Sequence, residues 1–150
     1  MQKLPSKNDI ITLTVDRLAF GGVGVGKLPT EEGDFTVFVE NAIPGQTVRA
    51  MVQSRKKRFA ECRLLEVIQK SSDEVEIPFQ PIPGAPYATW PMALQHENKI
   101  NECLRMLEKT GGIPLAEITF DGLIASPSAW HYRNKMEYAF SAIGYDRETQ

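Results

Sequence analysis

Residues 35–68 read FTVFVENAIPGQTVRAMVQSRKKRFAECRLLEVI, from Phe35 to Ile68, and this stretch decides the fold. Phe35-Thr36-Val37-Phe38-Val39 is rich in β-branched and aromatic residues and short enough for one strand. Pro44-Gly45 follows as a turn, because proline presets φ and glycine accepts a positive one. Thr47 to Gln53 is a second strand here. Ser54-Arg55-Lys56-Lys57-Arg58 is a polar connection, and Phe59 to Ile68 is a third strand, with Cys62 and Leu64 on one face and Arg63, Leu65 and Val67 on the other.

Upstream, Ile11, Leu13 and Val15 alternate with Thr12, Thr14 and Asp16, giving a half-buried strand. Between it and Phe35 lies Gly21-Gly22-Val23-Gly24-Val25-Gly26-Lys27, with Glu31, Glu32 and Gly33 in the turn before Phe35. Four or five short strands with glycine and proline turns in about 60 residues predict a small closed β-barrel. Gly21, Gly26 and Lys27 match G-x-x-x-x-G-K, but Leu28 replaces the magnesium-binding hydroxyl and no apolar-periodic helix follows. A G-x-G-x-x-G reading fails because Lys27 takes the place of the third glycine. The glycines are read instead as points where a barrel strand bends.

Downstream, the acidic run Ser71 to Glu76 marks a boundary, and Pro78, Pro81, Pro83 and Pro86 exclude helix from the next stretch. A helix is expected over 89–112, with Thr89 as N-cap and Pro91 in the first turn. Ile100, Cys103, Leu104 and Leu107 form its apolar stripe, and Gly111-Gly112 ends it after Lys109. Trp90 is expected to anchor a core. Tyr132 to Phe140 alternates as a strand that enters a turn with no return, so the domain is expected to continue beyond Gln150.

Composition narrows the function. Of 150 residues, 42% are hydrophobic and 24% charged, and 17 Lys and Arg against 19 Asp and Glu give a net charge of −2. That balance rules out a histone-like polycation and makes no case for bulk attraction to nucleic acid, so any basic site must be local. One exists. Arg49, Arg55, Lys56, Lys57, Arg58, Arg63 and Lys70 stand against only Glu61 and Glu66 in residues 49–70. Lys56, Lys57 and Arg58 beside Phe59 join charge for phosphate to a ring for base stacking. Arg133, Asn134 and Lys135 behind Tyr132 form a second polar cluster. His96 and His131 have no companions at ligand spacing, so no metal site is expected. Cys62 and Cys103 form no CxxC pair, and Cys103 is expected to be an inert buried thiol. With no apolar run of membrane length and no signal-peptide core, a cytoplasmic protein is expected.

Two blocks of wording resemble known families. Residues 9–68 resemble a TRAM domain, the small β-barrel of RNA-modifying enzymes, through Gly21–Lys27, Val37–Gly45 and Arg55–Ala60. The remainder resembles the start of the S-adenosylmethionine-dependent RNA uracil-5-methyltransferases, through Leu94-Gln95-His96 and through Ser126-Pro127 followed by Tyr132-Arg133-Asn134-Lys135. The fold class implied is mainly β with one substantial helix, an OB-like TRAM barrel followed by a helix and the first strands of an α+β domain. The organisation implied is a flexible lead-in at 1–8, the RNA-binding barrel at 9–70, an acidic then proline-rich linker at 71–88, the helix at 89–112 and the start of the central domain at 113–150.

The resemblance implies RNA, ribosomal or transfer, as partner, held by Arg55, Lys56, Lys57, Arg58, Phe59, Arg133, Asn134 and Lys135. It implies S-adenosylmethionine as cofactor, bound by a domain outside these residues together with the nucleophilic cysteine and the base. These 150 residues alone are then expected to be inactive, and monomeric. Many members carry C-x₅-C-x₂-C for an iron–sulfur cluster, but here the corresponding places are Pro83, Thr89 and Met92, so no cluster is expected. A stand-alone RNA-binding module without catalysis is the alternative.

Overall fold

Alternation of apolar and polar residues sends one row of side chains inward from each strand, and closing five such strands leaves no sheet edge exposed. The computed structural model describes residues 3–77, 85–131, 135 and 137. The strands are β1 (Ile10–Ala19), β2 (Val23–Thr30), β3 (Gly33–Glu40), β4 (Thr47–Arg55) and β5 (Phe59–Gln69). They close in the order β1-β2-β3-β5-β4, with β4 returning to β1. All pairs are antiparallel except β3 with β5, which run parallel. This is the OB-like barrel expected from the sequence, followed by the one α-helix among the described residues, α1 (Met92–Lys109). The core holds Ile11, Leu13, Val15, Leu28, Phe35, Val37, Val39, Val48, Val52 and Cys62, all buried.

The glycine cluster is itself a strand. In β2, Gly24, Gly26, Leu28 and Thr30 are buried while Lys27 and Pro29 are exposed. A Cβ on Gly26 would run into the backbone carbonyl oxygen of Thr14, and one on Gly24 would lie 3.0 Å from the carbonyl oxygen of Ala42. Glycine is needed there because two backbones approach closely, beside the register shift between Val15 and Arg17 in β1.

A second shift corrects the reading of β5. Arg49 pairs with Glu66 but Ala50 pairs with Leu64, so Leu65 is left over as a bulge. Leu64 and Val67, placed on opposite faces by simple alternation, therefore both pack against the core.

The segments on either side are tied to the barrel. Leu4 packs on the core, and the Asn8 amide donates to the Val52 carbonyl at 2.8 Å, so residues 3–8 are held where the sequence suggested a flexible lead-in. In the acidic run, the Val75 amide donates to the Thr89 carbonyl at 2.8 Å. Trp90 is 7% exposed and packs with Leu18 and Ile43, flanked by Tyr87 and Leu94, as a core anchor should. The Tyr87 hydroxyl donates to the Gly22 carbonyl, fastening this strap to the β1–β2 turn.

The helix departs from its expected start. Pro91, not Thr89, occupies the N-cap position, and no side chain caps the end. Gln95 Nε2 donates back to the carbonyls of Trp90 at 2.7 Å and Tyr87 at 3.1 Å, tying the first turn to the segment before it. Gly111 and Gly112 end the helix as expected, with the Thr110 amide on the Met106 carbonyl at 2.9 Å. No residue of α1 is buried, and of its apolar stripe Cys103 and Leu107 are exposed. The expected burial of Cys103 is thus overturned, because nothing among the described residues covers that face.

The chain divides into two compact units, Met1–Phe120 and Asp121–Gln150. In the second, Ser126 and Ser128 make local side-chain to backbone bonds before Trp130. The expected strand at 132–140 lies outside the described residues apart from Lys135 and Glu137. No helix among the described residues is long and apolar enough to cross a membrane.

Candidate nucleic-acid interface

A tight turn between two paired strands must put its side chains into solvent, and the β4–β5 turn does so with cations. Arg55 closes β4 opposite Ala60, and the Lys56 amide donates to the Phe59 carbonyl at 2.8 Å. Arg55, Lys56, Lys57 and Arg58 are all exposed, and none forms an ion pair among the described residues. Arg49, at the other end of the same strand pair, is already bound to Glu66 at 3.3 Å. Lys27 on β2 likewise meets Asp34 at 3.3 Å. The turn therefore gathers four consecutive cations with no ion-pair partner among the described residues, and such a cluster is what a phosphate chain neutralises.

Phe59 opens β5 directly after the turn and is half-buried on the outer face. Its ring meets Phe38 of β3 edge-to-face, with centroids 5.4 Å apart and planes at 86°. The parallel β3–β5 pairing creates this meeting by setting Thr36 beside Phe59 and Phe38 beside Glu61. The two rings help line an open cleft of about 470 Å³, together with Val23, Glu40, Gln53, Glu61 and Cys62. Stacking a base on such a ring is worth roughly 1–3 kcal/mol.

Cys62 lies behind the cleft, 1% exposed, and burial pushes its thiol up to about 11. It is a poor nucleophile near neutrality.

Lys135 is exposed and bound to Glu137 at 2.7 Å, in the second unit. Arg133 and Asn134 lie outside the described residues, as does Pro83. Thr89 is in the turn before α1 and Met92 begins the helix. Among the described residues no three His, Cys, Asp or Glu side chains gather as a metal site.

Sequence reading missed Phe38, Gln53 and Glu61 as parts of this surface. Alternation puts Phe38 and Glu61 outward, but only the parallel strand pairing makes them neighbours. Gln53 is the extra residue where Val52 pairs with Cys62 and Ser54 with Glu61, and such a bulge re-aims a side chain.

The sequence profile of the TRAM domain matches residues 7–65. The chain is 37% identical over 146 residues to an uncharacterized RNA methyltransferase of Caldanaerobacter subterraneus subsp. tengcongensis, covering 95% of this chain and 30% of that protein. It is 30% identical to one of Clostridium acetobutylicum, covering 95% of this chain and 32% of the other. A third, of Chlorobaculum tepidum, is 32% identical over 93% of this chain and 29% of its own length. The chain thus spans about a third or less of the curated relatives it matches.

Proposed function

Residues 7–65 are a TRAM domain, and on that premise we propose that the chain is the RNA-gripping region of an S-adenosylmethionine-dependent RNA methyltransferase that forms 5-methyluridine in ribosomal or transfer RNA. The observation that carries the RNA part is the β4–β5 turn, four exposed cations with no ion pair among the described residues, running into the Phe38–Phe59 ring pair. Likeness to RNA methyltransferases along nearly the whole chain supports the methyl-transfer part. The uracil-5 class is supported by Ser126-Pro127 followed by Tyr132-Arg133-Asn134-Lys135, and Arg133, Asn134 and Lys135 are assigned to the same RNA-facing role.

S-Adenosylmethionine would supply the methyl group, while the residues described here bind and orient the RNA. Neither cysteine is given the nucleophile's role, since Cys62 is buried with a raised pKa and Cys103 sits on the helix. The enzyme is proposed to work without an iron–sulfur cluster, because Pro83, Thr89 and Met92 can supply no thiolate. A monomer acting on RNA in the cytoplasm is the simplest assembly.

The test is to incubate the intact protein with ribosomal and transfer RNA and labelled S-adenosylmethionine, then digest the RNA to nucleosides. Label in 5-methyluridine is expected. Label only in another nucleoside, or none, contradicts the reading.

A further inference from the structure

The cleft beside the cationic turn differs in charge from the turn itself. Its rim carries Glu40 and Glu61 with the amide of Gln53, and none of the three makes a hydrogen bond or ion pair through its side chain with another described residue. Two carboxylates repel phosphate, so an RNA backbone held by Arg55, Lys56, Lys57 and Arg58 would present a base, not a phosphate, to the cleft. Phe38 and Phe59 stand with planes at 86°, so the face of one ring can take a flat aromatic base, and about 470 Å³ lies within the roughly 300–1,000 Å³ typical of small-molecule sites.

The polar groups select among bases. A carboxylate only accepts hydrogen bonds, through two oxygens side by side. Guanine alone among the four bases offers two adjacent donors, N1–H and the 2-amino group, on its Watson–Crick edge. The amino group of cytosine or adenine is flanked by an acceptor nitrogen, and the N–H of uracil lies between two carbonyls, so each sets an acceptor against a carboxylate oxygen. Glu61 is the neighbour of Phe38 in the strand pairing and two residues from Phe59 on the same face, which puts its carboxylate at the edge of the platform. The bulge that sets Gln53 into the cleft gives an amide able to donate to the guanine carbonyl.

We propose that this cleft binds one unstacked guanine of the RNA, stacked on one ring of the edge-to-face Phe38–Phe59 pair and read by Glu61, with Gln53 assisting. The inference rests on the RNA-gripping role proposed above and adds a base preference to it.

The test uses the full chain and fluorescence anisotropy with three labelled nine-residue RNAs, namely oligouridine, the same with one central guanosine, and the same with inosine there. Inosine keeps N1–H and the carbonyl but lacks the 2-amino group. The guanosine RNA is expected to bind about 5-fold or more tightly than oligouridine. Inosine, or Glu61→Gln with the guanosine RNA, should remove most of that preference, read as the ratio of guanosine-RNA to oligouridine affinity for the same protein. Glu61 is exposed, so the variant should keep the wild-type circular dichroism spectrum. Equal binding of all three RNAs, or a preference that survives Glu61→Gln, overturns the guanine site while leaving the RNA grip standing. Failure of all three to bind at low salt removes the RNA grip, and the guanine site with it.

Discussion

Gln46 and Glu74 join the barrel to the acidic segment, with Gln46 Nε2 donating to Glu74 Oε1 at 2.9 Å. Gln46 is 6% exposed, its own Oε1 accepts from the Ile43 amide at 3.1 Å, and Glu74 Oε1 also accepts from the Ser71 amide at 2.9 Å. Truncating the carboxylate would leave a buried amide donor without a partner. Glu74→Ala is therefore expected to lower stability by about 1–3 kcal/mol, read as a shift in the urea midpoint. An unchanged midpoint would mean that the segment is not held this way.

The glycines of β2 and of the preceding turn should respond differently to alanine. At Gly26 the added Cβ meets the Thr14 backbone, which cannot swing aside, whereas Gly21 has open space but a φ of +85°. Gly21→Ala should cost about 1 kcal/mol from backbone strain. Gly26→Ala should cost more, about 1–3 kcal/mol or beyond, because the β1–β2 pairing must open. Thermal melts of the two variants give the order, and a milder effect at Gly26 would contradict the close-approach explanation.

The two thiols should separate cleanly in reactivity. Cys103 is exposed, so it should react with a disulfide reagent in the native protein at pH 8. Cys62, buried and raised from 9.0 to about 11, holds only about one part in a thousand as thiolate there. It should react only after unfolding. The folded state favours the protonated thiol, so this contribution to stability is full below about pH 9 and is lost as pH rises toward 11. Cys62→Ala should flatten the fall in urea midpoint over that window, and an unaltered slope would count against burial as the cause.

Four of the strands were legible because their alternation survives in the sequence, as in Ile11, Leu13 and Val15 of β1. β2 was hidden because its inward row includes Gly24 and Gly26, which score as turn residues while serving as strand residues. The inward placement of Val67 depends on the bulge at Leu65, and no period-two reading can anticipate an inserted residue. The cationic turn was legible outright, since charge needs no partner strand to be seen. The Phe38–Phe59 platform was only half legible, because its two rings come from strands 21 positions apart in sequence joined by a parallel pairing. The start of α1 differs from the expectation because Thr89 resembles a cap in sequence, while its carbonyl accepts from the Val75 amide and the first helical bond runs from the Gln95 amide to the Pro91 carbonyl.

The central claim is that the β4–β5 turn grips the RNA backbone, and salt dependence tests it most directly. Affinity for a structured RNA should be measured across salt concentrations for the full chain and for a variant with Arg55, Lys56, Lys57 and Arg58 all changed to Gln. Each lost phosphate contact should lower the slope of log affinity against log salt by roughly one unit, so the variant should bind more weakly at every RNA sequence and with a slope shallower by about two to four. The same affinity and the same slope in both proteins would contradict the claim.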